Sequence, residues 1–278
     1  MNWLAIRAIV RKDLRTIVRN RGVRIPLIVT PVILLVILPL VLVGGGEFLA
    51  TASEIPQGSS APFEELSDRA ATHGGEGRDG QPLSPQGRWA TFVLEVFLAP
   101  LYLLIPLIVA TVIAADSFAG ERERGTLEAL LHSATTDREL LTAKFLASWL
   151  PSVTVSTVGF VVYAALANVL AWPHLGRVFF PTLTWWLLAG LVAPGIAALG
   201  LAVMVIASSR VNSLQAAHQI GSLVVIPMLV LLVAQITGVL LFNTPLVIVM
   251  GVMVWALAGL LLTLGGATLR RHRLALKL

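Results

Sequence analysis

Apolar positions in this chain gather into long runs, with neither the alternation of a strand nor the narrow stripe of a soluble amphipathic helix. Six runs stand out, at 25–45, 91–115, 145–171, 180–207, 220–241 and 245–268. Each is long enough to cross a hydrocarbon layer about 30 Å thick, which takes roughly 20 mostly apolar residues in helical form. Pro31, Pro39, Pro106, Pro194 and Pro227 fall inside these runs. In a soluble helix they would argue against the assignment. In a membrane helix, neighbouring groups re-satisfy the carbonyls that proline frees. The expected fold class is an all-α polytopic membrane protein, a single transmembrane domain over residues 1–278. It has six spans, an amphipathic interfacial helix at the N-terminus and a short cytosolic helix between spans two and three.

The polar positions divide unevenly between the two ends of those spans. Counting Lys and Arg, seven precede the first span, four lie between spans two and three, one (Arg210) lies between spans four and five, and four follow span six. That makes 16, against four (Arg69, Arg78, Arg88 and Arg177) in the alternate connections. The positive-inside rule then puts both termini in the cytosol. Residues 46–90 form the one long hydrophilic connection and are predicted to be external. Between Glu47 and Arg88 the segment carries seven acids and three arginines among Gly, Pro and Ser, a composition that cannot bury enough apolar surface to order itself. A flexible external loop and a contact for a substrate or partner are both open for it. Ala50-Thr51-Ala52 resembles a signal-peptidase site, but an apolar run of about 20 residues exceeds the usual 7–15 of a signal peptide, so the first span is expected to be retained.

Composition sharpens this picture. The chain is 56% hydrophobic and 13% charged, with a mean hydropathy of +0.86, whereas soluble domains are about 45–50% apolar and 25% charged. Little remains within these residues for a soluble catalytic domain. Cysteine is absent, which excludes disulfides and thiolate metal sites. The sequence pI near 10.4 points to an anionic leaflet as the partner of the basic residues, not to nucleic acid.

Two segments outside the spans carry pattern. In residues 1–24, Trp3, Ile6, Val10, Leu14 and Ile17 fall on one side of a helical wheel, and Arg11, Lys12, Arg15 and Arg19 on the other. Such a helix lies in the interface plane with its apolar face in the acyl boundary. Asn20-Arg21-Gly22 ends it. It can serve as a topogenic anchor or transmit force from a cytosolic partner. In the segment 116–144, Gly125 interrupts the helix leaving span two and Thr126 caps a short new one. Leu127, Leu130 and Leu131 share a face of that helix, and Thr136-Asp137-Arg138-Glu139 is a capping box opening span three. A short helix with three leucines packs on its own bundle or docks into a groove on another protein.

The run Phe118-Ala119-Gly120-Glu121-Arg122-Glu123-Arg124-Gly125-Thr126-Leu127-Glu128-Ala129-Leu130-Leu131, followed by Asp137-Arg138-Glu139-Leu140-Leu141 and Lys144, resembles the permease subunits of type-2 ATP-binding-cassette exporters. The motif covers about 25 residues, and the six spans and amphipathic helix extend the likeness along the chain. By that resemblance, Glu121 to His132 is the coupling helix that meets a cytosolic ATPase. Glu121, Arg122, Glu123, Arg124, Gly125, Thr126, Leu127, Glu128, Leu130 and Leu131 are then its coupling residues. Residues 3–19 become the connecting helix beside it, and Ser208 to Gln219 a second, weaker contact. The resemblance further implies a dimer with a like or paralogous permease in a bacterial cytoplasmic membrane. The few polar groups in the spans point to a hydrophobic or amphiphilic cargo such as a drug or lipid, and ion export stays open through backbone carbonyls at the proline breaks. One departure is clear. Phe242-Asn243-Thr244-Pro245 leaves no room for the re-entrant helices many relatives carry between spans five and six, and the large loop follows span one instead.

The chain has no phosphate-binding loop; Lys12, Lys144 and Lys277 are its only lysines and none lies in a glycine-rich turn. ATP and Mg2+ are therefore expected in a partner chain, with no cofactor or metal in this one. No catalytic cluster marks it as an enzyme. The one ionisable residue read inside the six spans is Glu95, about one turn from the outer edge of span two. A side chain reaching the interface and a proton site are both open for it. Asn168 and Gln235 read as helix–helix hydrogen bonders. A membrane assembly or maturation factor, and a secondary carrier, are the alternative functions. The second is disfavoured by the scarcity of intramembrane charge and the lack of an internal repeat.

Overall fold

A computed structural model describes residues 3–45, 83–123, 125, 136–208, 211, 213–237, 239 and 242–268. Among them every regular element is helical. An amphipathic helix, Trp3–Arg19, leads into six helices long and apolar enough to cross a membrane. These are Arg21–Gly44, Pro85–Gly120, Glu139–Leu175, Leu183–Ser208, Gln215–Ile236 and Thr244–Gly265. Each of the six apolar runs is thus one helix. Spans two and three reach further than the runs predicted, with 36 and 37 residues. At 1.5 Å per residue they measure about 54 Å, well beyond the hydrocarbon thickness, and so carry polar turns out of the membrane. Residues 85–90, expected in the external loop, are the first turns of span two, capped by Ser84 Oγ, which accepts from Gly87 N at 3.1 Å.

Span two is the central pillar. Of its most apolar window 78% is buried, against 61% for span four and 17–28% for the other four. Spans one, three, four and five pack around it, and span six packs on span four. Small residues set the closest approach. A Cβ at Gly251 would come within 2.6 Å of the Leu191 side chain, so only glycine lets spans four and six meet there. Near the far end of spans two to four, Tyr102, Phe160, Tyr163, Phe180 and Trp185 form a buried aromatic cluster with ring centroids 4.9–6.4 Å apart.

Among the described residues five stretches are wound as π-helix: Ile33–Ile37 and Leu40–Gly44 in span one, Phe92–Phe97 and Asp116–Gly120 in span two, and Leu188–Val192 in span four. Such winding and the prolines between them loosen the backbone ladder, and a bare carbonyl in hydrocarbon has no water to turn to. Side chains from other spans supply the donors. Trp89 Nε1 donates to Leu42 O at 2.9 Å and Trp255 Nε1 to Leu191 O at 3.0 Å. On the stretch 92–97 three spans converge. The Tyr163 hydroxyl donates to Leu94 O, Trp185 Nε1 to Glu95 O at 3.0 Å, and Gln235 Nε2 to Val96 O at 2.9 Å. The last of these has a direct cause. Pro100 lacks the N–H that would have met Val96 O in an α-helix.

Asn168 and Gln235 therefore both make structural hydrogen bonds. Gln235 joins span five to span two. Asn168 pins the connection after span three, where its Oδ1 accepts from Phe179 N at 3.1 Å and Phe180 N at 3.2 Å. Gly176, at φ 62°, closes span three just before that connection.

Replacing Trp185 by Phe keeps the ring stack and removes one N–H from a buried carbonyl. It should cost about 1–3 kcal/mol, read as a lowered thermal midpoint of the purified protein. Trp186→Phe, at an exposed ring, should stay within about 0.5 kcal/mol of wild type.

Candidate functional site at the basic end of the bundle

The amphipathic helix does not lie free in the interface plane. Its inward seam is Ile6, Ile9, Asp13 and Ile17, with Val10 and Leu14 half-buried beside it. Ile6 and Ile9 pack on Leu140 and Ala143 of span three. This corrects the expected apolar face. The first turns of span three cover part of that face, while Trp3 at its start is exposed at 63%. Arg11, Arg15 and Arg19 face outward.

Under that helix the long ends of spans two and three bring opposite charges together. The Lys144 ammonium, 1% exposed, uses all three donors. It meets Glu121 Oε2 at 2.5 Å, Ser117 O at 2.7 Å and Ser117 Oγ at 3.2 Å. It also sits 5.2 Å from the centre of the Phe118 ring. The Ser117 carbonyl belongs to the π-helical foot of span two, so Lys144 serves there as tryptophans do elsewhere. The second oxygen of Glu121 accepts from Lys12 Nζ at 2.8 Å, and Lys12 reaches Asp13 Oδ1 at 3.3 Å. Asn20 Nδ2 donates to Asp116 Oδ1 at 3.3 Å while its own Oδ1 caps Gly22 N at 3.0 Å. One carboxylate thus clamps the amphipathic helix, the foot of span two and the start of span three.

Burial, the largest influence on Glu121, favours its neutral form. Lys144 and Lys12 outweigh it and hold the carboxyl below the usual range. Burial likewise disfavours the charged form of Lys12, but the bonds to Glu121 and Asp13 raise its pKa above the ordinary value. Asp13 goes the other way. Burial raises its pKa, Lys144 and Lys12 oppose the shift, and Glu121 adds to it.

The predicted coupling residues fall on both sides of this clamp. Glu121 is buried, so it shapes the junction and presents no surface to a partner. Glu123 is exposed. Gly125 adopts φ 68°, a left-handed conformation in which a side chain is strained. Arg124, Thr126, Leu127, Glu128, Leu130 and Leu131, with the side chain of Arg122, lie outside the described residues. So do 46–82 of the loop and the basic tail 269–278. The capping box at the start of span three is present, with Thr136 Oγ1 accepting from Glu139 N at 3.3 Å and Glu139 Oε2 from Thr136 N at 3.0 Å. In the segment expected to be a second contact, Ser213 caps the helix from Leu214, and Ala217 is buried beside Phe118, Ala119 and Met204.

Span two begins at Pro85, so Glu95 lies ten residues in, nearly three turns, and is half-buried. It is also not the sole ionisable group on the spans, since Asp116, Glu139, Lys144 and His174 sit within the helices as they extend. Sequence reasoning missed Asp13 altogether. Its signal was legible, because an acid at the i+4 position between Ile9 and Ile17 interrupts an otherwise apolar stripe.

The family model for ABC-2 family transporter protein matches residues 7–247, which include the clamp and five of the six spans. The chain belongs to the ABC-2 transporter family. No curated protein matches it. This ABC-2 protein is accordingly a multi-pass membrane protein and a permease component of an ABC transporter, a transport subunit in kind. In this permease the matched region begins within the amphipathic helix.

Lys144→Met leaves Glu121 buried with half its charge compensation. It should destabilise the permease by about 3–5 kcal/mol, whereas the double variant Lys144→Met/Glu121→Leu should recover most of that loss, because removing both ions also removes their desolvation cost. Thermal unfolding in detergent checks both. The depressed Glu121 pKa adds a pH signature. Its stabilisation is present above the ordinary carboxylate range and is lost as pH falls through the depressed value.

Proposed function

We propose that this permease is the membrane half of an ATP-driven exporter in a bacterial cytoplasmic membrane, with both termini in the cytosol. It works as a dimer, with a second copy or a paralogue, and a separate cytosolic ATPase subunit holds ATP and Mg2+. The observation that carries this reading is the Lys12–Glu121–Lys144 clamp. The coupling segment begins in sequence at Glu121, which is itself part of the clamp, so a displacement applied at Glu121 would enter span two, span three and the amphipathic helix together. Closure of an ATPase dimer would press on two such segments, one per permease, and alternate the pathway between its two faces. The amphipathic helix acts as the connecting helix that braces the clamp.

Support for an outside source of work comes from the sequence, which has no phosphate-binding loop in its 278 residues. The spans offer few polar side chains that are not already committed to other carbonyls, which favours a hydrophobic or amphiphilic cargo such as a drug or lipid. Gly125 is left-handed, and among the described residues a Cβ there meets nothing within 4 Å. Any penalty for a side chain at this position is therefore conformational, on the order of 1–2 kcal/mol in the left-handed region.

Gentle solubilisation of tagged permease should retain an ATPase in stoichiometric amount, and Gly125→Leu should lose both the ATPase and transport while inserting normally. A clean membrane protein without ATPase in either sample, or normal export by Gly125→Leu, would sink the proposal.

A further inference from the structure

A small cavity lies between the amphipathic helix and spans two and three, lined by Asp13, Thr16, Ile17, Asp116, Ser117 and Glu121 among others. Its volume is about 20 Å³, room for one water molecule, which needs about 10–15 Å³. Asp13, 6% exposed, lines this space, and one of its carboxylate oxygens, Oδ2, has no hydrogen-bond partner. Its other oxygen takes only the Lys12 contact at 3.3 Å. Lys144 is fully committed to Glu121 and Ser117. The described cations therefore leave a buried carboxylate oxygen bare on a residue that lines a one-water space together with Asp116 and Glu121.

From this juxtaposition we propose that the cavity is a proton-binding site. Asp13 holds a proton there and shares it through a single water with the acceptors Asp116 and Glu121, and the amphipathic helix stays docked while the proton is bound. A neutral carboxyl turns a bare acceptor into a donor and relieves the repulsion from Glu121. The charged groups that act on it are Lys12 on its own helix, Glu121 at the foot of span two and Lys144 on span three, and Asp116 lines the same space. Glu139 is turned back to Thr136, and Arg21 and Arg24 on span one are exposed. Burial pushes the Asp13 carboxyl in the same direction. A group whose pKa is raised in the docked state stabilises that state at low pH, and the contribution fades as pH climbs through the raised value. The inference holds whether or not an ATPase binds, since it concerns the seat of the helix on its own bundle.

The absence of cysteine makes the test direct. Ala143 is 0% exposed beneath the helix, so Ala143→Cys in the full chain, in lipid nanodiscs, reports undocking by its alkylation with a water-soluble maleimide. Dividing its rate by that of Ala143→Cys/Asp13→Asn at each pH cancels the titration of the thiol itself. The ratio should rise severalfold between pH 4.5 and pH 7.5, as the proton leaves Asp13 and the seat of the helix weakens. A ratio that stays flat overturns the proposal and leaves a plain hydrated carboxylate. Should the double variant fail to fold, infrared titration of otherwise native chain carrying ¹³C-labelled aspartate decides the matter. One protonated carboxyl persisting above the ordinary aspartate range, and surviving Asp116→Asn, supports the site. No such band, or one removed by Asp116→Asn, overturns it.

Discussion

A backbone carbonyl that loses its helical partner inside hydrocarbon must find a donor within the protein. That requirement organises much of this bundle. Spans one, two and four are each loosened by π-helical winding, and proline removes further N–H groups. The freed carbonyls are met by Trp89, Trp255, Tyr163, Trp185 and Gln235, each reaching from another span. Irregular backbone thereby becomes a set of cross-links. Trp149 adds another, donating to Pro194 O at 2.9 Å. Lipid provides no hydrophobic drive for helices to associate, so hydrogen bonds and close packing have to hold them together.

The basic end obeys the same requirement with different chemistry. Lys144 takes the Ser117 carbonyl of a π-helical segment, as Trp185 takes that of Glu95, but it brings a full charge and so needs Glu121 as well. The difference follows from depth. Spans of 36 and 37 residues overshoot the hydrocarbon, and only in the overshoot can ion pairs be assembled without meeting lipid. Span two is consequently fixed at its far end by neutral donors from three spans and at its basic end by ions. The first attachment hardly responds to pH. The second contains groups whose charge depends on their neighbours.

The fold was largely legible in the sequence. Hydrophobic run length found six spans, because that signal is set by bilayer thickness alone. Composition could not show where the helices stop. Pro85–Arg88 reads as loop, yet Ser84 and Pro85 are an N-cap and a first-turn proline, a local signal overridden by the polar context. The junction was half legible. Glu121, Gly125 and the Thr136–Glu139 box are visible as motif and cap, but that Lys144 and Asp13 meet them depends on tertiary packing. Asn168 and Gln235 could be read as hydrogen bonders because amides in apolar runs have few other uses. The tryptophans could not, since their rings equally suit an interfacial belt.

Placing ions where span two leaves the membrane also decides where the bundle can yield. The aromatic cluster of Tyr102, Tyr163, Phe180 and Trp185 is buried on all sides, and its rearrangement would strand several carbonyls at once in a medium without water. The clamp faces water as soon as the amphipathic helix lifts, and water can then satisfy Lys12, Asp13 and Glu121 as well as the clamp does. Opening at the far end costs unpaired groups, while opening at the basic end exchanges protein partners for solvent. The basic end is therefore the end whose polar groups solvent can satisfy on opening, while the far end stays pinned by hydrogen bonds that have no substitute.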